Sequence, residues 1–259
     1  MAQVEEACEK NHIQVMGGHT EVTKVVNQIV ISVTGVGKAK EGRVISTAGV
    51  KPGMDIIVTK WIGIEGTAIL AKEKEAALRE RYSQPFIDKA KELDRYISVL
   101  SEAATAVKSG VAAMHDVTEG GIFGALWEIA EASGVGLEID LKKIPLKQET
   151  VEICEFFGIN PYELISSGSM LMAAEDGNGL VMELEKAGIP AVVIGKATDV
   201  LLNIHIAETK CTLSLDSSGE SLHRRGYRQE AVEAPLNEVL ASCMILMSGW
   251  RGECDLIDH

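Results

Sequence analysis

The sequence predicts an α+β fold, and three observations carry that prediction. β-branched runs crowd the first 62 residues, a long apolar helical stripe follows them, and short apolar runs then alternate with amphipathic ones. A chain of 259 residues with 46% hydrophobic and 24% charged content can bury the core of one large domain or two ordinary ones.

The elements follow in order. "MAQVEEACEKNH" reads as the tail of a helix and "IQVMGG" as a strand. "VVNQIVISVTGVGKA" and "MDIIVTKWIG" are β-branched runs, separated by the turn signals "KEGR" and "KPGM". From Ile64 the period changes: Phe86, Ala90, Leu93, Ile97, Leu100, Ala104 and Val107 recur every fourth and third residue, which predicts one continuous helix. "GVAAMHD" is a short strand leading into "VTEGGIFGALWEIAEASG", a helix with Ile122, Leu126 and Ile129 on its inner face and Gly134 as its stop. Strands are then expected at "VGLEIDL", "SGSMLMAA" and "PAVVIGKA", with helices at "TVEICEFFG" and "GLVMELEKAG". Beyond Thr198 come two β-like runs, a polar loop, and a helix with Pro235 in its first turn. On that helix Leu236, Val239, Leu240, Cys243, Leu246 and Met247 form an apolar face that needs cover. These textures divide the chain into 1–62, 63–198 and 199–259.

Composition narrows the function. A net charge of −13 repels phosphate backbones, so no nucleic acid is expected as a partner. The polar N-terminus is not a signal peptide, and no apolar run approaches the ~18 residues that span a membrane. A cytoplasmic protein with a small-molecule substrate and no membrane contact is expected. Five cysteines without a CxxC pair argue for reduced thiols rather than a disulfide framework or a thiolate zinc site.

Two stretches carry chemistry. In "GGHTEVT", Gly17 and Gly18 allow close backbone approach to a ligand, and His19, Thr20 and Glu21 follow at once. In "MHDVTEGG", His115, Asp116, Thr118 and Glu119 leave a strand just before a glycine-opened helix, whose free N–H groups favour an anion. The plain alternatives are a strand turn with a solvated His19, and a helix cap in which Asp116 or Thr118 accepts the first N–H bonds. Brought face to face, the two clusters would offer imidazole and carboxylate ligands to a divalent metal such as Zn, Mn or Mg.

Together with "ISVTGVGKA", "GVKPGMDIIVTKWIGIEGTAILA", "MHDVTEGGIFGALWEIAEASGVGLEID", "INPYELISSGSMLMAA" and "AGIPAVVIGKAT", these stretches resemble the AIR synthase superfamily, which includes hydrogenase-maturation dehydratases and thiamine-phosphate kinases. The resemblance implies a partial N-terminal β domain that pairs with its copy in a second subunit, and an α+β C-terminal domain. It implies ATP and Mg²⁺ in a cleft lined by Gly17, Gly18, His19, Thr20 and Glu21 on one side and His115, Asp116, Thr118 and Glu119 on the other. Family members also carry an upstream glycine-rich segment and metal-binding aspartates that this sequence lacks, so ATP is not expected as a ligand.

The stretch from about Leu201 to Asp258 is similar to large-subunit rRNA guanine-N2 methyltransferases, just before their cofactor loop. The chain therefore reads as a chimera with a foreign β/α tail. Without that loop, S-adenosylmethionine is not expected. The segment 199–259 has five Lys/Arg against ten Asp/Glu, so it is no RNA clamp.

The expected function is an incidental, metal-dependent hydrolase of activated, phosphate-type esters. His19, His115 and Asp116 would hold the metal, Asp116, Glu119 and Glu21 would serve catalysis, and Gly17, Gly18, Thr20 and Thr118 would bind the phosphate-like group. The alternatives are a residual ATP-binding or ATP-cleaving protein, and a non-catalytic fragment that forms a homo-oligomer through strand edges.

Overall fold

The computed structural model describes residues 2–39 and 44–199, and the backbone of 201–207 and 210–216. The chain divides into two compact units, Met1–Arg43 and Val44–His259. The first holds helix α1 (Ala2–Lys10), which ends where Ile13 N–H donates to the Cys8 carbonyl at 2.8 Å. From residue 13 to residue 39 the backbone forms no helix or strand. Strands were expected at "IQVMGG" and across "VVNQIVISVTGVGKA"; these runs instead lie open, with Val22, Val25, Ile29, Val33 and Val36 all exposed. β-branched residues favour strands because they pack on a pleated neighbour, and an extended backbone needs a partner for its N–H and C=O groups. Among the described residues of this unit no strand supplies one.

The second unit is built on a five-stranded antiparallel sheet in the order β2-β4-β1-β5-β3. Its strands are β1 (Asp55–Thr59), β2 (Ala113–Val117), β3 (Gly136–Ile139), β4 (Ser169–Ala174) and β5 (Ala191–Thr198). Helices α2 (Ile64–Glu73), α3 (Glu75–Leu78), α4 (Gln84–Lys91), α5 (Leu100–Ala106), α6 (Gly121–Ser133), α7 (Gln148–Phe157) and α8 (Gly177–Lys186) surround it. A hairpin of β6 (Leu201–Ala207) and β7 (Lys210–Asp216) follows.

Both faces of the sheet are covered, so its central strands are apolar throughout rather than alternating. Ile56 and Val58 of β1 face a core shared with Ile122, Leu126 and Ile129 of α6. Ile57, between them, faces the opposite core with Ala106 of α5 and Leu180 and Leu184 of α8. A third cluster of Ala71, Leu78, Ile87, Ala90 and Ile153 joins α2, α3, α4 and α7.

The single long helix expected over Phe86 to Val107 is not formed. It breaks into α4, a 3-10 turn at Glu92–Tyr96, and α5. The break is held by Lys60, which stands at the end of β1 with φ 53°. Its Nζ donates to the carbonyls of Tyr96 at 2.7 Å and Ser98 at 2.8 Å and pairs with Glu102 Oε1 at 2.6 Å. Those carbonyls are the acceptors a continuous helix would have used internally. The outer stripe consequently stays exposed at Ile97, Leu100 and Val107.

Cys154, on α7, is buried, and desolvation pushes its thiol up to about 11. The raised value favours the protonated thiol in the fold. That contribution is complete below the ordinary thiol value near 9 and is lost as pH rises through about 11. At pH 8 the thiolate, the species that reacts, is therefore scarce at Cys154. Iodoacetamide labelling followed by peptide mass spectrometry should mark the half-buried Cys8 and spare Cys154 until denaturant is added. Equal labelling of the two in native buffer would contradict the packing of α7.

The helix expected with Pro235 in its first turn, and its apolar face from Leu236 to Met247, lie outside the described residues. Among the described residues no helix is long and apolar enough to cross a membrane.

Candidate functional site at the strand-to-helix turn

The turn from β2 to α6 is built by two consecutive left-handed glycines, Gly120 at φ 77° and Gly121 at φ 61°. A Cβ at Gly121 would collide with the Tyr162 carbonyl oxygen and lie 2.8 Å from Glu163 C and Leu164 O. The chain at 162–164 approaches this closely because it caps the helix. Tyr162 O accepts from Phe123 N–H at 3.2 Å, and Thr118 O accepts from Gly121 N–H at 3.1 Å and Ser166 N–H at 3.2 Å. Backbone carbonyls, not the Asp116 or Thr118 side chains, therefore satisfy the start of α6. Two of the N–H groups expected to face an anion are already engaged.

Successive residues on β2 point to opposite sides of the sheet. His115 pairs across the ladder with Leu171 and lies on the α6 side, with Ala113 and Val117. Asp116 pairs with Met170 and belongs to the other side, with Met114. The His115 ring is held by its neighbours: Nε2 lies 2.5 Å from Glu128 Oε2 on α6, and Nδ1 lies 3.3 Å from Thr47 Oγ1. Thr47 opens a 3-10 turn, Thr47–Gly49, that runs along the outer edge of β2, where Met114 N–H donates to Ser46 O at 3.3 Å.

The expected metal centre is corrected by this arrangement. His115 and Asp116 cannot both ligate one ion across a packed sheet, and both ring nitrogens of His115 already have partners. Among the described residues no group of three or more His, Cys, Asp and Glu side chains is disposed to hold a metal. Gly17, Gly18, His19, Thr20 and Glu21 lie in the first unit, in an exposed stretch without regular structure. Asp116 and Glu119 are exposed and Thr118 is half-buried. Their side chains make no hydrogen bond or ion pair with another described residue.

Carboxylates and a hydroxyl accept hydrogen bonds, which suits the hydroxyls of a ribose and the amino group of an adenine. They do not neutralise phosphates, which want N–H groups or cations. The side chains of the turn thus offer acceptors and no cation.

Thr47, Glu128 and the Lys60–Glu102 pair were not anticipated from the sequence. Thr47 is 68 residues from His115, and nothing local marks it as a partner.

An antiparallel sheet covered on both faces, with a glycine-built turn delivering β2 into α6, defines the class: an α+β domain. The family described as AIR synthase related protein, C-terminal domain, matches residues 51–204, more than half of the chain, and the chain belongs to that family.

A putative hydrogenase expression/formation protein of Methanocaldococcus jannaschii is 31% identical over 199 residues, covering 75% of this chain and 57% of that protein. A selenide, water dikinase of the same organism is 32% identical over 225 residues, covering 81% of this chain and 61% of the dikinase. The chain thus spans little more than half the length of these relatives. A separate stretch of 60 residues, 23% of the chain, is 53% identical to 16% of a putative RNA methyltransferase of Synechocystis. The protein therefore joins an AIR synthase-like region to a methyltransferase-like fragment.

Among solved structures, thiamine-monophosphate kinase from Stenotrophomonas maltophilia shares the fold at a TM-score of 0.52 and 18% identity, over 62% of this chain and 52% of that one. A hydrogenase maturation protein HypE solved in complex with ATP matches at a TM-score of 0.44 and 19% identity, over 60% of this chain and 45% of that one. The expectation that ATP is no ligand of this scaffold is overturned: a dikinase is among its relatives at 32% identity, over most of this chain.

Proposed function

We propose that the chain is a nucleotide-binding member of the AIR synthase superfamily whose ligand is ATP. The observation that carries this reading is the β2–α6 turn, where Asp116, Thr118 and Glu119 stand ready for a ligand inside a domain of that family. They would hold the ribose and adenine. The polyphosphate falls to groups beyond this turn. ATP, when bound, supplies a transferable phosphoryl group. The activity, substrates and partners of the longer relatives extend to this chain only within this proposal.

Isothermal titration of the full chain with ATP, and separately with adenosine, tests it. Both should bind, and Asp116→Ala should weaken both by about tenfold, the worth of one hydrogen bond to a charged group. Unchanged affinities in the variant would remove the turn from the site. No binding of either ligand by the parent chain would remove the whole reading.

Self-association is the second reading, favoured by the exposed alternation of Val25, Ile29, Val33 and other apolar residues in the first unit. Light scattering on the same sample should give a mass of at least a dimer; a monomer at all concentrations would count against it.

A further inference from the structure

We propose that Thr47, His115 and Glu128 form a hydroxyl–imidazole–carboxylate relay that hydrolyses activated aryl esters through a covalent acyl-threonine, without a metal. The geometry is that of a nucleophile, a base and an orienting acid in series. Glu128 Oε2, 2.5 Å from His115 Nε2, holds the proton on that nitrogen. The lone pair of Nδ1 is thereby left facing Thr47 Oγ1 at 3.3 Å. The hydroxyl has a competing acceptor in Met114 O, at the longer distance of 3.4 Å.

The nucleophile's backbone is fixed from both sides. Ser133 Oγ donates to Thr47 O at 3.1 Å and accepts from Val50 N–H at 3.2 Å, while Gly49 packs directly on the Ala112 carbonyl. The relay is also within reach of solvent, since the His115 and Glu128 side chains are 20% and 48% exposed. Its substrates are set by its nucleophile. A threonine hydroxyl is a weak nucleophile unless a base takes its proton, so the leaving group must be a good one, such as a nitrophenolate.

In the first step Thr47 Oγ bonds to the acyl carbon and its proton passes to His115 Nδ1. The bond from that carbon to the phenolic oxygen breaks, and the departing phenolate takes the proton. Water then attacks the acyl carbon and gives a proton to Nδ1. The Thr47 Oγ–carbon bond breaks, Oγ recovers the proton, and the carboxylic acid leaves. Thr47 and His115 are catalytic residues here, and Glu128 is a positioning residue.

The experiment uses the full chain with p-nitrophenyl acetate, following nitrophenolate release and mapping acetylation by mass spectrometry. An initial burst and an acetyl group on the Thr47 peptide are expected. Thr47→Ala and His115→Ala should each lower turnover by roughly a hundredfold, and Thr47→Ser should retain it. Glu128→Gln should lower kcat with KM unchanged, and Glu128→Asp should recover part of the loss, a pattern that a purely structural role would not give. Circular dichroism establishes that each variant is folded. Turnover in Thr47→Ala equal to the parent, or acetyl found only on lysines, overturns the proposal. So does loss in His115→Ala alone, which would mean that imidazole acts unaided. ATP binding is measured apart and does not enter this outcome.

Discussion

Replacing Gly121 by alanine is expected to destabilise the second unit by about 3 kcal/mol, the sum of a left-handed backbone penalty and the strain of forcing a methyl into a packed site. The position is φ 61°, and the new Cβ would meet the main chain of Tyr162, Glu163 and Leu164 rather than a side chain that could swing away. To make room the 162–164 segment must retreat, which breaks the Phe123 N–H to Tyr162 O bond and opens the start of α6. Thermal unfolding should drop by on the order of 10 °C for a unit of this size. Gly134→Ala is the matched control. It has a similar φ of 64° but nothing within 4 Å of the new methyl group, so it should cost about 1 kcal/mol. Equal losses in the two variants would mean that backbone conformation, not the close approach, governs this turn.

Lys60→Met should cost about 3–5 kcal/mol, because it leaves the Glu102 carboxylate buried without its cation. Side-chain exposure of 8% and 3% for the two partners makes rescue by water ineffective. The carbonyls of Tyr96 and Ser98 lose their donor in the same substitution. Adding Glu102→Met should recover a large part of the loss, since apolar replacement of both charges removes the orphan. A denaturant-based double-mutant cycle measures the coupling. A double variant as unstable as the sum of the singles would show that the pair acts through its carbonyl contacts and not through charge.

The segments between residues 111 and 198 were legible because each satisfies its own period. Ile122, Leu126 and Ile129 fall on one face of α6, and Gly134 closes it in the left-handed conformation expected of a stop. "SGSMLMAA" reads as a strand, and it forms β4, which is buried at every residue. The stripe from Phe86 to Val107 misled because spacing reports which residues share a face, not whether the axis is continuous. A single distant lysine decided the latter.

In the first unit β propensity misled for a related reason: it records a preference for a packed, pleated surface, and that surface must be supplied by other residues. The candidate site was half visible. "MHDVTEGG" marked the turn, but strand alternation separates His115 from Asp116, and the partners of His115 come from 13 and 68 residues away.

That separation has a consequence for how the protein can change. Codons 115 and 116 are neighbours in the message, yet their products serve two compartments divided by a packed sheet. A change in what surrounds His115 on the α6 side leaves the surroundings of Asp116 untouched, and the reverse holds. The sheet therefore works as a partition, and two adjacent codons can be altered one at a time with separate structural effects.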